Sequence, residues 1–283
     1  MAHQHSHDAD APDWNALGAD LVFEGELAEP IVAGTARWVA DLVPEIATIL
    51  DIGSGPGVAA GLLAAAFPGA RVVAVDGAPA LLDLARQRAA RLGLTERLTT
   101  RVATLPDDLP SLPVADLIWA SGVVHHLPDP QQALQQLGRQ LRPGGVVAIR
   151  EGGLPLRFLP EGAEPGLLAR IEVACDELLA EGHHPGGVVS PGAAWPDTLR
   201  AAGLSYRGSR SFLFERSAPL SGTERDWLRR RLERLRDVAQ DRLAPGDLEA
   251  IARLVDPHAP DGIAHRDDVF ILGAGTIHVA AVG

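Results

Sequence analysis

The sequence predicts an α/β protein built as a doubly wound, mostly parallel sheet, and three observations predict it. Short β-branched runs alternate with longer stretches of helical periodicity between residues 48 and 150, the pattern of successive βαβ units. A glycine-rich turn, Asp51-Ile52-Gly53-Ser54-Gly55-Pro56-Gly57, joins the first such run to the first helical stretch. An apolar fraction of 46% and a charged fraction of 22% over 283 residues are those of a globular protein, and no apolar run approaches the roughly 18 residues needed to cross a bilayer.

The elements follow in order. Residues 1–12 are polar and His-rich without periodicity, so His3, His5 and His7 read as a solvated tail rather than a metal site. A helical pattern begins near Pro12-Asp13-Trp14, and over 27–43 the positions Ile31, Val32, Ala36, Val39, Ala40 and Val43 recur at helical spacing until Pro44 stops them. This is an N-terminal helical cap. Strands are expected over 48–51, 71–76, 98–103, 117–120 and 145–150, with helices over 58–66, 78–92 and 130–141 between them. The last of these helices is stopped by Arg142-Pro143-Gly144-Gly145. Residues 152–187 are rich in Gly and Pro around one acidic helical pattern at 165–181. A helix at 195–202, a strand at 205–214, an Arg-rich amphipathic helix at 223–242, a helix at 245–254 and a strand at 268–282 complete the chain. The Arg run Arg229, Arg230, Arg231, Arg234, Arg236 alternates with Glu233 and Asp237 and reads as a solvated helix face. The expected organisation is a tail and cap at 1–45, a nucleotide-binding core at 46–152, a lid insertion at 153–189, a continuation of the core at 190–215, a helical insertion at 216–267 and a final core strand at 268–283.

Composition excludes several chemistries. Cys175 is the only cysteine, so neither an intrachain disulfide nor a multi-cysteine metal centre can be built. All 25 basic residues are arginine, which excludes a Schiff-base lysine and the phosphate-binding loop that needs one. A net charge of -12 argues against nucleic acid as partner, and the polar, partly acidic start lacks the pattern of a secretory leader. The expectation is a cytoplasmic protein acting on a small molecule, with no membrane partner, no bound metal and a homodimer left open. The pairs His183-His184 and His258/His265 lie in the insertions, and no carboxylate sits beside His183-His184 at ligand spacing apart from Glu181.

Gly53, Gly55 and Gly57 stand where the chain must turn sharply and let a ligand approach the backbone. A nicotinamide-binding turn wants G-x-G-x-x-G, and Val58 holds the place of its third glycine. Asp51, immediately before the turn, suits an ammonium and has no use to a pyrophosphate. Asp76 ends the second strand 19 residues beyond Gly57, where a carboxylate can accept hydrogen bonds from both ribose hydroxyls of an adenosine. With these features, with Ala115-Asp116-Leu117-Ile118-Trp119-Ala120-Ser121-Gly122-Val123-Val124-His125-His126, and with Leu141-Arg142-Pro143-Gly144-Gly145, residues 46–152 resemble the class I methyltransferases that use S-adenosyl-L-methionine (SAM), in their small-molecule branch.

The resemblance implies a Rossmann-like seven-stranded sheet whose last strand is antiparallel, with helical insertions forming a lid over the substrate. It implies SAM as cofactor, held by Asp51, Gly53, Ser54, Gly55, Gly57, Asp76, Gly77, Ala120 and Ser121. The acid that often follows the third strand to hold the adenine amino group is missing from Val102-Ala103-Thr104-Leu105-Pro106, which leaves the adenine to Thr104, to Asp107 or Asp108, or to backbone groups at Thr104 and Leu105. The Asn/Asp-Pro-Pro-aromatic run that methylases use on a flipped base is also absent after the fourth strand.

His125 and His126 follow the fourth strand at the carboxyl edge of the sheet, where ligands bind in open α/β folds, and imidazole titrates near neutral pH. His125 is the leading candidate for a general base, and packing against the backbone is the alternative for either histidine. Glu151, at the end of the fifth strand, faces the same edge and could orient substrate or cap a loop. Trp195, Phe158, Tyr206, Phe212 and Phe214 fit either a hydrophobic pocket or the core. The function expected is methyl transfer to an oxygen or nitrogen of a small, apolar metabolite. A catalytically silent SAM- or nucleoside-binding subunit and a nicotinamide oxidoreductase are the alternatives.

Overall fold

A computed structural model describes residues 14–180 and 194–282, so His3, His5, His7 and His183-His184 lie outside the described residues. Seven strands form one sheet: β1 (Thr48–Ile52), β2 (Arg71–Asp76), β3 (Leu98–Val102), β4 (Ala115–Ser121), β5 (Leu141–Arg157), β6 (Ser205–Arg216) and β7 (Ile271–Ala281), in the order β3-β2-β1-β4-β5-β7-β6. The first five run parallel, whereas β7 lies antiparallel to both β5 and β6. The sheet is therefore mixed in the way the resemblance implies. The chain reverses its direction of travel across the sheet between β1 and β4, which opens a ligand crevice at the carboxyl ends of these strands.

Strands so placed must bury both faces, which is why β1 and β4 read as continuous apolar runs. Ile49, Leu117, Trp119 and Ala148 face one core, shared with helices α2 (Glu29–Leu42), α3 (Val58–Ala66), α6 (Leu167–Ala180), α8 (Gly222–Ala239) and α9 (Pro245–Val255). Leu50, Ile52, Ile118 and Ile149 face the other, closed by α5 (Pro130–Arg139) and α7 (Trp195–Ala201). Helix α4 (Pro79–Arg91) also flanks the sheet, and α1 (Trp14–Leu27) precedes α2 in the N-terminal cap.

Two elements differ from expectation. Strand β5 runs from Leu141 to Arg157, past both ends of 145–150, because β7 gives it a second partner and register shifts on either side of Gly153 let it bend. At Gly153 φ is 147°, and a Cβ would meet the Ala274 carbonyl at 2.0 Å, so only glycine lets β5 and β7 stay paired there. The Arg-rich face of α8 is only partly a solvated one. Arg230 and Arg234 both bind the buried Asp20 of α1, at 2.6 and 2.7 Å, and Arg231 is half-buried in the wall of a cavity. Ser221 and Glu224 close a reciprocal capping box at the start of α8. Helix α6 packs on α8, and Ile171 and Cys175 of the one share a core cluster with Trp227 and Leu228 of the other. Cap and insertion thus meet above the carboxyl edge of the sheet.

Candidate active site

Two cavities adjoin at that edge. The smaller, about 150 Å³, is lined by Asp51, Gly53, Ser54, Trp119, Ser121 and Arg150 beneath residues of α1 and α2. The larger, about 420 Å³, is lined by His125, His126, Arg150 and Glu151 at one end and by Leu156, Phe158, Ile171, Phe214 and Leu235 at the other. Glu24, Ala28, Ser121 and Arg150 belong to both walls. Strand alternation explains which side chains arrive: Asp51 stands opposite Trp119 and Ser121 opposite Arg150, all on the face of the sheet covered by the cap.

The glycine turn has the conformation its sequence requires, with φ of 65°, 52° and 74° at Gly53, Gly55 and Gly57. A Cβ at Gly57 would press on Ala85 of α4 at 2.7 Å, whereas one at Gly55 would meet nothing within 4 Å, so space is left over the turn. The Asp76 carboxylate ties the turn down, accepting from the Gly55 N–H at 2.8 Å and the Ala78 N–H at 2.9 Å, and each oxygen keeps a further lone pair.

The smaller cavity contains several buried polar atoms that lack hydrogen-bond partners, namely Asp51 Oδ2, Ser54 Oγ and Trp119 Nε1. Buried polar atoms are ordinarily satisfied, so these orphans leave hydrogen-bonding capacity for whatever fills the cavity. Burial pushes the Asp51 carboxyl up to about 8, with the nearby Asp76 adding to the rise and the Ala60 N–H opposing it. These atoms fit the amino-acid end of the SAM that the resemblance implies.

In the larger cavity, His125 Nδ1 lies 2.7 Å from Glu151 Oε2, while Glu151 Oε1 accepts the Val124 N–H at 2.9 Å. Glu151 is buried, and the parallel pairing of β4 with β5 brings it beside a histidine 26 residues away in sequence. An accepting carboxylate assigns the proton to Nδ1 and leaves Nε2 as the acceptor nitrogen. The His126 ring packs against His125 with centroids 3.9 Å apart. Behind Glu151, the buried His278 of β7 contacts the Glu151 carbonyl at 3.1 Å through Nε2 and Ser209 Oγ at 2.6 Å through Nδ1, and Tyr206 bonds Ser209 in turn. Burial lowers the His278 pKa, so this ring is neutral and Nε2–H donates to the carbonyl.

The other expected cofactor contacts divide. Ser121 lines both cavities. The Ala120 methyl is buried in the core, which leaves only its backbone to meet a ligand. Asp76, Gly77, Thr104 and Leu105 line neither cavity and stand at the ends of β2 and β3. The Thr104 N–H is already donated to Asp108 at 2.7 Å. Phe158 and Phe214 line the larger cavity, Trp195 is core on the opposite face, and Phe212 packs over Gly34. Among the described residues no group of three or more His, Cys, Asp or Glu side chains converges as a metal site.

Sequence reasoning missed Arg150, Arg231, Glu24 and His278. Burial lowers the pKa of both guanidiniums, and Glu24 is the carboxylate that opposes this at each. The available signals were an arginine ending an apolar strand, Val146-Val147-Ala148-Ile149-Arg150, and a lone histidine inside Ile277-His278-Val279.

Residues 50–147 match the family model described as a methyltransferase domain. The trans-aconitate 2-methyltransferase of Methylobacterium radiotolerans is 37% identical over 138 residues, 49% of each chain. That of Azoarcus is 42% identical over 117 residues, 41% of this chain and 44% of the relative. The match thus spans about half the length of these curated relatives. Among solved structures, an O-methyltransferase family protein from Burkholderia thailandensis superposes with a TM-score of 0.53 at 19% identity, covering 73% of this chain and 57% of that one, a likeness of fold. A methyltransferase domain model thus matches the chain from the first strand into the fifth, on a mixed seven-stranded sheet of the kind that the resemblance to class I SAM-dependent methyltransferases implies.

Proposed function

We propose that this protein transfers a methyl group from SAM to an oxygen or nitrogen of a small acceptor with an apolar body, held in the larger cavity beneath α6 and α8. The observation that carries the reading is the shared wall: a cavity lined by polar orphans opens beside one that holds a carboxylate-oriented histidine.

When bound, SAM supplies an activated methyl on a sulfonium that is its own leaving group, so the protein has to position and, for some acceptors, deprotonate. In this reading the glycine turn and Asp51 hold the amino-acid end, Asp76 takes the ribose hydroxyls, and Gly77, Thr104 and Leu105 border the adenine. Since the Thr104 N–H is committed to Asp108, Leu105 is left to contribute its side chain and backbone. His125 takes the proton from an acceptor hydroxyl or ammonium through Nε2, Glu151 stabilises the imidazolium that results, and His126 packs the ring in place. The apolar stretch from Leu156 to Leu235 excludes water around the acceptor. Helices α6, α8 and α9, within the segments 153–189 and 216–267, act as the lid over a core built on the seven strands, with α1 and α2 as the cap. The single buried Cys175 accords with a reducing, cytoplasmic setting. No helix among the described residues is long and apolar enough to cross a membrane.

A second reading, methylation of a carboxylate, is favoured by the half-buried Arg231 in the cavity wall and by the names of the curated relatives. A carboxylate needs no base. Incubating the full chain with labelled SAM and a panel of phenols, amines and carboxylic acids tests both readings. Transfer to the phenols or amines supports the first reading and transfer to the acids the second. Tight binding of NAD with none of S-adenosylhomocysteine defeats both, whereas S-adenosylhomocysteine binding with no turnover on any panel indicates a silent binding subunit.

A further inference from the structure

The smaller cavity has two chemically distinct ends. Asp51 on β1, Trp119 on β4 and Arg150 on β5 project from three consecutive strands onto one face of the sheet. Adjacent strands lie about 4.8 Å apart, so β1 and β5 are separated by roughly 10 Å, the span of a carboxylate, an α-amino acid and a guanidinium joined by two hydrogen bonds. At the β1 end is a buried carboxyl oxygen with no partner. Towards β5 are two kinds of donor, the orphaned indole N–H of Trp119 and the guanidinium of Arg150, whose hydrogen bond to Ser121 Oγ is a long one of 3.5 Å.

Charge points the same way. Arg150 is half-buried beside Glu24, whose Oε1 already accepts from Trp227 Nε1 at 3.3 Å and lies 4.0 Å from Arg234. Glu151, the other carboxylate near Arg150, is bound to the Val124 N–H and His125. A partly buried cation is costly without a matching anion, and an entering carboxylate would supply one.

We propose that Arg150, assisted by the indole N–H of Trp119, is the receptor for the carboxylate of the cofactor's amino-acid end, opposite Asp51, which takes its ammonium. This rests on the SAM reading given above and assigns Arg150 to binding the cofactor rather than the acceptor. It also accounts for an arginine inside a strand whose preceding residues on the same face, Val146 and Ala148, are apolar.

The test is calorimetric, on the full chain, with three ligands: S-adenosylhomocysteine, its decarboxylated amine analogue, and 5′-methylthioadenosine, which lacks the amino-acid end altogether. Wild type should bind the decarboxylated analogue roughly 10- to 100-fold more weakly than S-adenosylhomocysteine, the loss typical of a hydrogen bond to a charged group. Arg150→Gln should weaken S-adenosylhomocysteine by a similar factor, leave 5′-methylthioadenosine within about twofold, and abolish the gap between the acid and its decarboxylated analogue. Arg150→Lys should recover part of the gap, and Trp119→Phe should narrow it. Equal affinity of wild type for the acid and the analogue overturns the proposal without recourse to any variant. So does a gap that persists in Arg150→Gln, which would return Arg150 to the acceptor. A wild type that binds none of the three ligands refutes the SAM reading itself.

Discussion

A carboxyl group with one unpartnered oxygen in a buried site is held neutral until something arrives to use it. Asp51 is raised by burial from the ordinary value of 3.8 to about 8, so at pH 7 the ligand-free protein carries it protonated. An ammonium seated on it favours the ionised form, and the proton leaves. We expect S-adenosylhomocysteine binding near pH 7 to release about one proton, read as a binding enthalpy that varies with the ionisation enthalpy of the buffer, and Asp51→Asn to remove that dependence; a buffer-independent enthalpy in wild type counts against the ammonium contact. The same shift affects folding. Between about pH 4 and 8 the folded state holds a proton that the unfolded state has lost, so this group makes stability fall as pH rises across that window, and Asp51→Asn should flatten the decline. At the other cavity, His125→Ala should slow transfer to a hydroxyl or amine by about 10²- to 10⁴-fold while leaving S-adenosylhomocysteine affinity unchanged. A single-turnover rate equal to wild type would make His125 a packing residue. Both members of the His125–Glu151 pair were legible in the sequence as residues at a ligand-binding edge. Their contact was not, because it depends on the register of β4 against β5, which no local pattern encodes.

The staple between α1 and α8 sets how the lid is held. Burial alone would raise the Asp20 carboxyl, but hydrogen bonds from Arg230 and Arg234 outweigh it and hold the group below the ordinary carboxylate range. Its contribution to stability is therefore present above about pH 4 and lost as pH falls below that. Because both arginines also reach solvent, with side chains 39% and 45% exposed, Asp20→Ala should cost about 1–3 kcal/mol, less than breaking a fully buried pair. That corresponds to a melting temperature lower by several degrees, and calorimetry showing no shift would remove the staple from the account. Elements such as α3 and β2 were legible to the residue, since glycine and proline punctuation brackets strong periodicity. The extension of β5 was not, because its outer half exists only through pairing with β7, more than 100 residues downstream. Arg231 was hidden for a similar reason: in a run of arginines, the packing of α8 on α6 and α1 decides which one turns inward.

At the scale of the whole molecule the fold was the most legible level, because a parallel sheet needs apolar strands separated by helices and the sequence repeats that unit without interruption from residue 48 to 150. The cavities were the least legible. Their walls combine a cap near one end of the chain, a lid from its middle and strand ends from the core, with Glu24, Arg150, Ile171 and Trp227 meeting around one space. The placement of β7 carries a consequence for how the protein comes into being. It follows every other strand in chain order, yet it is inserted between β5 and β6, and its His278 supports the main chain of Glu151. During synthesis β5 and β6 emerge from the ribosome with nothing to join them. The sheet cannot be completed until β7 enters the gap, so its assembly waits on a segment more than 100 residues downstream of β5.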